Sequence, residues 1–344
     1  MLNIAALNEV SKIDSRREKI RLPLHKEACV TAAGPSLDSS AEILARNRDE
    51  KFIIAADTAY PALLARGIFP DAVVTIDGQT ASARHFLSVR QFSEEKRGGR
   101  NVILFADLCC NPAVPRLFYS RGEPVVFVKN RHPLSELARQ YALYRGAPQD
   151  FLPFVQSGAG TVTVSAASLA FSCGFSSVSF FGADFSFPGG KPYTRGTYLD
   201  NFFASSSRVS PGETAFASLM YRRALCYADD GKTPATRLLL SYKKSLEALK
   251  NSPRESVPLG FAPPPAGVFD SFAGWYAGQL FMLLFDRAEF DPLASRDSVF
   301  LSCLPFLAAQ RTAQQKKRSK KEEIFYALKL AYEVTKQYNI TQWK

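Results

Sequence analysis

Residues 51–77 read KFIIAADTAYPALLARGIFPDAVVTID. Two short apolar runs stand at its ends, Lys51–Ala56 and Ala72–Ile76. Each is closed by an aspartate, Asp57 and Asp77. Between them, Thr58–Arg66 has room for a short helix that Gly67 can end. An apolar run without polar alternation fits a strand buried on both faces, and a helix joining two such runs is the repeating unit of a parallel sheet.

The same grammar extends outward. Upstream, Ala28–Ala33 is a strand that ends in Gly34-Pro35-Ser36, with a helix from Leu37 capped near Ser36 or Asp38. Downstream, a polar helix is expected over Thr80–Glu95. Strands follow at Val102–Ala106, closed by Asp107, and at Pro124–Val128, with a helix starting at Asn111-Pro112 between them. Helices are expected at Pro133–Tyr144 and Gly158–Phe171. A sixth strand, Val178–Phe181, leads into Gly182-Ala183-Asp184. Six such runs predict an α/β, Rossmann-like, mostly parallel sheet with helices on both faces over residues 28–198. Residues 1–27 read as a polar arm. Residues 199–344 read as mainly helical, a lid or C-terminal region, with helices at Glu213–Ala228, Thr236–Lys250, Ser271–Leu284, Ser298–Ala309 and Glu323–Tyr338.

Composition narrows the function classes. The chain has 344 residues, 46% hydrophobic and 22% charged, which excludes a mainly disordered or collagen-like chain. The net charge is +11, but Arg311–Lys344 holds nine Lys/Arg against three Glu, leaving +5 for the first 310 residues. A body so mildly basic does not read as a nucleic-acid binder. Six cysteines, at 29, 109, 110, 173, 226 and 303, form no CxxC pair, and there are three histidines. No metal site is expected from that pattern. Apolar surroundings for Cys29 and Cys173 fit a reducing cytoplasm. The charged start, Met1–Arg21, does not read as a signal peptide, and no membrane span is expected.

Asp57, Asp77, Asp107 and Asp184 each follow a strand, and ligands of open parallel sheets bind beyond the C-terminal strand ends. Asp is also a common turn and cap residue. The turn Gly34, Pro35, Ser36 offers backbone amides to a phosphate, although a tight strand-to-helix turn needs Gly anyway. It matches neither GxGxxG nor a P-loop. Ser157, Gly158, Gly160 and Thr161 sit at the start of a helix and expose its first amides, or else they allow close packing on the sheet. The segment DFSFPGGKPYTRGTY, residues 184–198, sets Lys191, Tyr193, Arg195 and Tyr198 beside Asp184, with Gly189-Gly190 able to let it move as a lid. His85, in the helix after Asp77, is placed for proton transfer or is a plain surface histidine.

Four pieces, GPSL (34–37), IAADTAYPALLARGIFPDAVVTID (54–77), GAGTVTVSAASLAFSCGF (158–175) and FFGADFSFPGGKPYTRGT (180–197), together resemble one family. It is the domain shared by motility-associated factors of bacterial flagellin glycosylation and archaeal hydroxymethylpterin pyrophosphokinases. The resemblance covers about residues 28–198 and includes the Asp71/Asp77 spacing and the Arg84-His85 pair. Gly78–Ser82 departs from the family's polar-aromatic stretch. The resemblance implies a sialyltransferase-like fold. It also implies a cytoplasmic glycosyltransferase that moves a nonulosonic acid from a CMP-activated donor to Ser/Thr of flagellin, with no tightly bound cofactor. On that reading Asp77 or His85 is the base, and Asp184 orients sugar hydroxyls. Asp57 and Thr58 hold ribose or cytosine, and Tyr193 or Tyr198 donates a hydrogen bond to the phosphate. Gly34–Leu37, Ser157–Thr161, Lys191 and Arg195 steady the leaving phosphate. Two alternatives stand beside it. One is a Mg²⁺-dependent hydroxymethylpterin pyrophosphokinase using the strand-end aspartates. The other is a non-catalytic flagellar accessory protein that binds a partner through the basic segment 316–321.

Overall fold

The computed structural model describes residues 20–46, 48–87, 101–148, 152–203, 207–209, 211–252, 261, 267–285, 298–304, 307–308 and 319–340. Six parallel strands form the main sheet: β1 (Glu27–Thr31), β2 (Lys51–Ala56), β3 (Ala72–Thr75), β4 (Ile103–Asp107), β5 (Val125–Val128) and β6 (Val178–Phe181). Their order is β5-β4-β3-β2-β1-β6, with every pairing parallel. The chain thus steps outward from β1 to β5, then crosses back to place β6 on the other side of β1. β2, β3 and β5 are buried along their whole length, whereas the edge strand β6 is half-buried throughout.

The crossover helices are α1 (Leu37–Ala45), α2 (Tyr60–Ala65), α3 (Thr80–Leu87), α4 (Ala113–Ser120), α5 (Pro133–Tyr144) and α6 (Val162–Ser172). Helices α1 to α5 share one core on one face of the sheet, with Leu37, Leu63, Phe86, Phe118 and Tyr141 buried in it. On the other face α6 lies across β1, β2 and β3. Its inward residues Ala166 and Ala170 are small enough to let the helix sit close to the strands. The expected helix over Thr80–Glu95 is described as Thr80–Leu87, and residues 88–95 lie outside the described segments.

Beyond α7 (Tyr198–Phe202) come α8 (Gly212–Met220), α9 (Arg237–Lys250), α10 (Phe272–Phe285), α11 (Ser298–Ser302) and α12 (Lys320–Ile340). The C-terminal region is mainly helical, with one correction. The helix expected over Glu213–Ala228 stops at Met220, and Leu225–Tyr227 is strand β7, paired antiparallel with β8 (Pro234–Thr236). The turn between them is closed by Asp230, which accepts the amides of Lys232 and Thr233. Helices α10 to α12 join the α1–α5 core, where Tyr141 meets Phe272 and Trp275. Residues 316–318 of the basic segment 316–321 lie outside the described residues, and Lys320 opens α12. No described helix is long and apolar enough to cross a membrane.

Candidate functional site

Parallel strands put all their C-terminal ends at one edge, and the reversal of strand order between β1 and β6 makes that point of the edge the switch point. The turn after β1 is locked there. Gly34 donates to the Gly182 carbonyl at 2.8 Å, and Ser36 donates its amide to Asp184 Oδ2 at 2.9 Å. Leu37 and Asp38 donate to Gly34 and Pro35. A side chain at Gly34 would fall on the Asp184 carboxylate and the Gly182 carbonyl, so glycine is required for this close approach. This corrects the expectation that Gly34–Leu37 cradle a phosphate, because those amides are already satisfied from within. Asp184 serves as the acceptor that closes the turn through Oδ2, and no hydrogen bond from a described residue is shown on its Oδ1.

Asp57 follows β2 and is 2% exposed. Its Oδ1 accepts the amide of Thr58 at 2.7 Å and the Thr58 hydroxyl, and its Oδ2 accepts the Thr75 hydroxyl at 3.0 Å. Burial pushes its pKa up to about 6, with the nearby Asp77 adding to the rise against those hydrogen bonds. Asp77 is half-buried. One of its oxygens accepts the Gln79 amide at 2.9 Å.

His85 lies in the last turn of α3, within the field of Asp77. It is buried, its Nδ1 has no partner among the described residues, and its ring meets Tyr198 edge-on at 4.6 Å. Burial lowers its pKa to about 4, against the pull of Asp77. The imidazole is therefore neutral at pH 7. The plain surface-histidine reading is set aside by this burial.

Tyr193 and Tyr198 flank a stretch that is clamped to the sheet edge. Thr194 donates its amide to Ala33 at 2.9 Å. The Arg66 guanidinium donates to the Arg195 carbonyl at 2.8 Å, to the Thr194 hydroxyl at 3.1 Å and to Asp38 at 2.5 Å. Asp38 also accepts the Arg195 amide and the Thr194 hydroxyl. Burial works to raise the Asp38 pKa, but these donors and Arg66 outweigh it and hold the carboxyl below the usual range. Gly196, at φ +85°, passes so close to Ala62 and Ala65 that a side chain would crowd them. The segment 184–198 is thus pinned at Phe187, through Pro234, and again at Thr194–Arg195, which confines the movement expected at Gly189-Gly190 to the stretch between these anchors. Lys191 and Arg195 are exposed, and the Lys191 charge is felt by Asp38.

Tyr193 is 38% exposed. Burial around its phenol, then Tyr198, Asp57 and Tyr242, hold its hydroxyl above the usual range. Asp57, Asp77, His85, Tyr193 and Tyr198 therefore share one neighbourhood, with Thr58 supporting Asp57. Tyr242, on α9, belongs to it too and is not legible from spacing.

At the head of α6, Gly158 and Gly160 are exposed. Gly160 donates to Ser157, while the amides of Thr161, Val162 and Thr163 carry no hydrogen bond among the described residues. Here the expected free amides exist. The fourth strand-end acid, Asp107, is fully buried. Burial pushes its pKa up to about 6, against hydrogen bonds from the Cys109 amide and thiol and from Asn130. Asp71, at the opposite end of β3 from Asp77, pins the Ile53 amide at 2.7 Å and Arg48 at 2.8 Å. Among the described residues no three His, Cys, Asp or Glu side chains converge as a metal site.

Together these features define a Rossmann-like α/β chain with a polar and aromatic crevice at the C-terminal edge of its sheet. The chain belongs to the MptE-like family: the model of 6-hydroxymethylpterin diphosphokinase MptE-like proteins matches residues 1–190. That bears out the resemblance drawn from the four motifs. An uncharacterized protein of Treponema pallidum (strain Nichols) is 30% identical over 240 residues, covering 69% of this chain and 76% of the relative. A second from the same organism is 29% identical over 189 residues, covering 54% of this chain and 30% of that relative. In fold the chain is similar to a MAf glycosyltransferase from Magnetospirillum magneticum AMB-1, with a TM-score of 0.51 at 16% identity. The likeness covers 97% of this chain and about half, 54%, of that enzyme.

Proposed function

We propose that this protein is a transferase whose leaving group is a nucleoside monophosphate. The family match supports diphosphate transfer from ATP to the hydroxymethyl group of a pterin-like acceptor, with AMP leaving. In that reaction the acceptor oxygen bonds to the β-phosphorus and the P–O bond to AMP breaks. A second reading rests on the fold likeness, which runs through the helical region. It is transfer of a nonulosonic acid from its CMP form to Ser/Thr of flagellin. There the acceptor oxygen bonds to the anomeric carbon and CMP leaves with the electrons of the broken C–O bond.

Both reactions ask the protein for the same services. An acceptor hydroxyl must lose a proton, and a phosphate that gathers negative charge must be held. The observation that carries the proposal is the buried His85 imidazole, in α3, lying within the field of the strand-end carboxylate Asp77. A neutral, buried imidazole with an unpartnered nitrogen can take the acceptor proton, and the Asp77 carboxylate stabilises the imidazolium that results. The free amides at the head of α6 suit the leaving phosphate. Thr58, held from beneath by the buried Asp57 carboxyl, suits the hydrogen-bonding edge of a base or a ribose.

The diphosphotransferase reading implies Mg²⁺. Asp77 fits it best, because it is half-buried at the edge with one oxygen that accepts no hydrogen bond from the described residues. Mg²⁺ is usually held by one or two carboxylates plus substrate phosphates, and when bound it neutralises phosphate charge.

Calorimetric titration with ATP and with CMP, each with Mg²⁺ and with EDTA, tests the proposal. Mg²⁺-dependent ATP binding favours diphosphate transfer, and CMP binding that survives EDTA favours the sugar transferase. Binding of neither overturns the nucleotide reading.

A further inference from the structure

We infer that Tyr242 touches the donor nucleotide, so that the crevice is completed by the C-terminal helical region; this rests on the nucleotide-donor reading above. Tyr242 lies beyond the 190 residues that define the family match. It sits on α9, a helix docked on α6 one turn further along. Leu246 is buried with Val164 and Ala167 of α6, and Leu249 and Phe185 complete that small core. Residues four apart share a helix face, so Tyr242 points the same way as Leu246 but one turn nearer the start of α9.

That turn carries it past the first residue of α6. A side chain on Gly160 would meet the Tyr242 hydroxyl at 3.6 Å and its ring at 3.8 Å. The phenol therefore stands over the exposed glycine that precedes the helix, not over the packed core. Tyr242 is half-buried, and its hydroxyl makes no hydrogen bond with any described residue. Its other neighbour is Tyr193, close enough for the two phenols to feel each other's charge, and Tyr193 feels Asp57 in turn. Tyr198 and His85 continue the same wall.

Three phenols and an imidazole thus lie next to one another at this edge, with the buried Asp57 carboxyl close to Tyr193 and the free amides of α6 beside Tyr242. That is the chemistry of a planar heteroaromatic ring joined to a phosphate. Tyr242 faces both parts, its ring toward the base and its hydroxyl toward the phosphate. The core of α9 is held by Leu246 and Leu249, so a change at 242 leaves the docking of the helix in place.

The test is titration of the full chain and its Tyr242→Ala and Tyr242→Phe variants with ATP and with CMP, with thermal unfolding run in parallel. The expected result is at least roughly tenfold weaker binding in Y242A at an unchanged unfolding temperature. Y242F retains binding if the ring is the contact, and loses it alongside Y242A if the hydroxyl is. Nucleotide binding by Y242A equal to that of the wild type overturns this inference and leaves the transferase reading standing. A wild-type chain that binds neither nucleotide overturns that reading and this inference with it.

Discussion

Asp184, three residues past the last strand of the sheet, closes the turn after the first by accepting the Ser36 amide at 2.9 Å. The two residues are 148 positions apart in sequence. Removing the acceptor leaves a half-buried amide without a partner. Asp184→Ala is expected to cost about 1–3 kcal/mol, and Asp184→Asn less, because the amide oxygen still accepts. Gly34→Ala should be worse than either, and D184A should relieve it only in part, since the Gly182 carbonyl still blocks the new side chain. Urea unfolding of the wild type, the three single variants and the double variant checks the order.

Arg66 and Asp38 form the clamp between the two tyrosines. Arg66→Met removes a fork that reaches two carbonyls, a hydroxyl and a carboxylate at once. Nucleotide affinity should fall several-fold as Tyr193 and Tyr198 lose their fixed positions, and Arg66→Lys should restore part of it, since Lys brings the charge without the fork. Equal affinity in R66M and wild type would remove the clamp from the binding argument.

The base can be identified by pH. A base must be deprotonated, so kcat/KM rises with pH through its pKa. With His85 as the base the acid limb has its midpoint near pH 4. His85→Gln should abolish transfer while weakening nucleotide binding far less. Full turnover in H85Q sinks the assignment.

Stability carries a second pH signature. Asp57 titrates near 6 in the fold against 3.8 for an unperturbed side chain, so its contribution is fully present below about pH 4 and is lost as pH rises through 6. Asp107 acts in the same direction. His85 opposes them: its contribution is present above pH 6.5 and lost as pH falls through 4. Asp57→Asn keeps an acceptor for the Thr58 amide and cannot ionise. Its stability relative to wild type should therefore improve from pH 4 to pH 8, by up to about 3 kcal/mol. Unfolding curves at pH 4, 6 and 8 that keep a constant gap would contradict the buried-acid account.

Asp71 belongs to a motif that also holds Asp77, yet the two sit at opposite ends of β3. Asp71→Ala should lower stability through Ile53 and Arg48 and leave turnover of the folded enzyme unchanged. A turnover defect at a temperature where D71A is folded would place it in the site after all.

The strands were legible because burial on both faces leaves no room for polar residues. Lys51–Ala56 is a strand over the whole of its apolar run. The β7–β8 hairpin was hidden because three-residue strands carry no period, although Asp230-Gly231 is a turn signal. In the site, the strand-end rule found Asp57 and Asp77 but could not tell them from Asp184 and Asp107, whose roles depend on partners distant in sequence. Tyr242 lay on a helix whose apolar stripe explains a buried face equally well. Its position over Gly160 depends on how α9 docks, which spacing along the chain does not encode.

The place of β6 also sets an order of events at the ribosome. β1 can pair with β2 as soon as residue 56 has emerged, but its other edge stays bare until Val178–Phe181 arrives more than a hundred residues later. A long-lived open edge is a template for wrong pairing with another chain. Nascent chains cut short before residue 178 should aggregate, and those that reach past Asp184 should not. Only the latter can close the Gly34 turn, so the crevice is among the last parts of the sheet to form during synthesis.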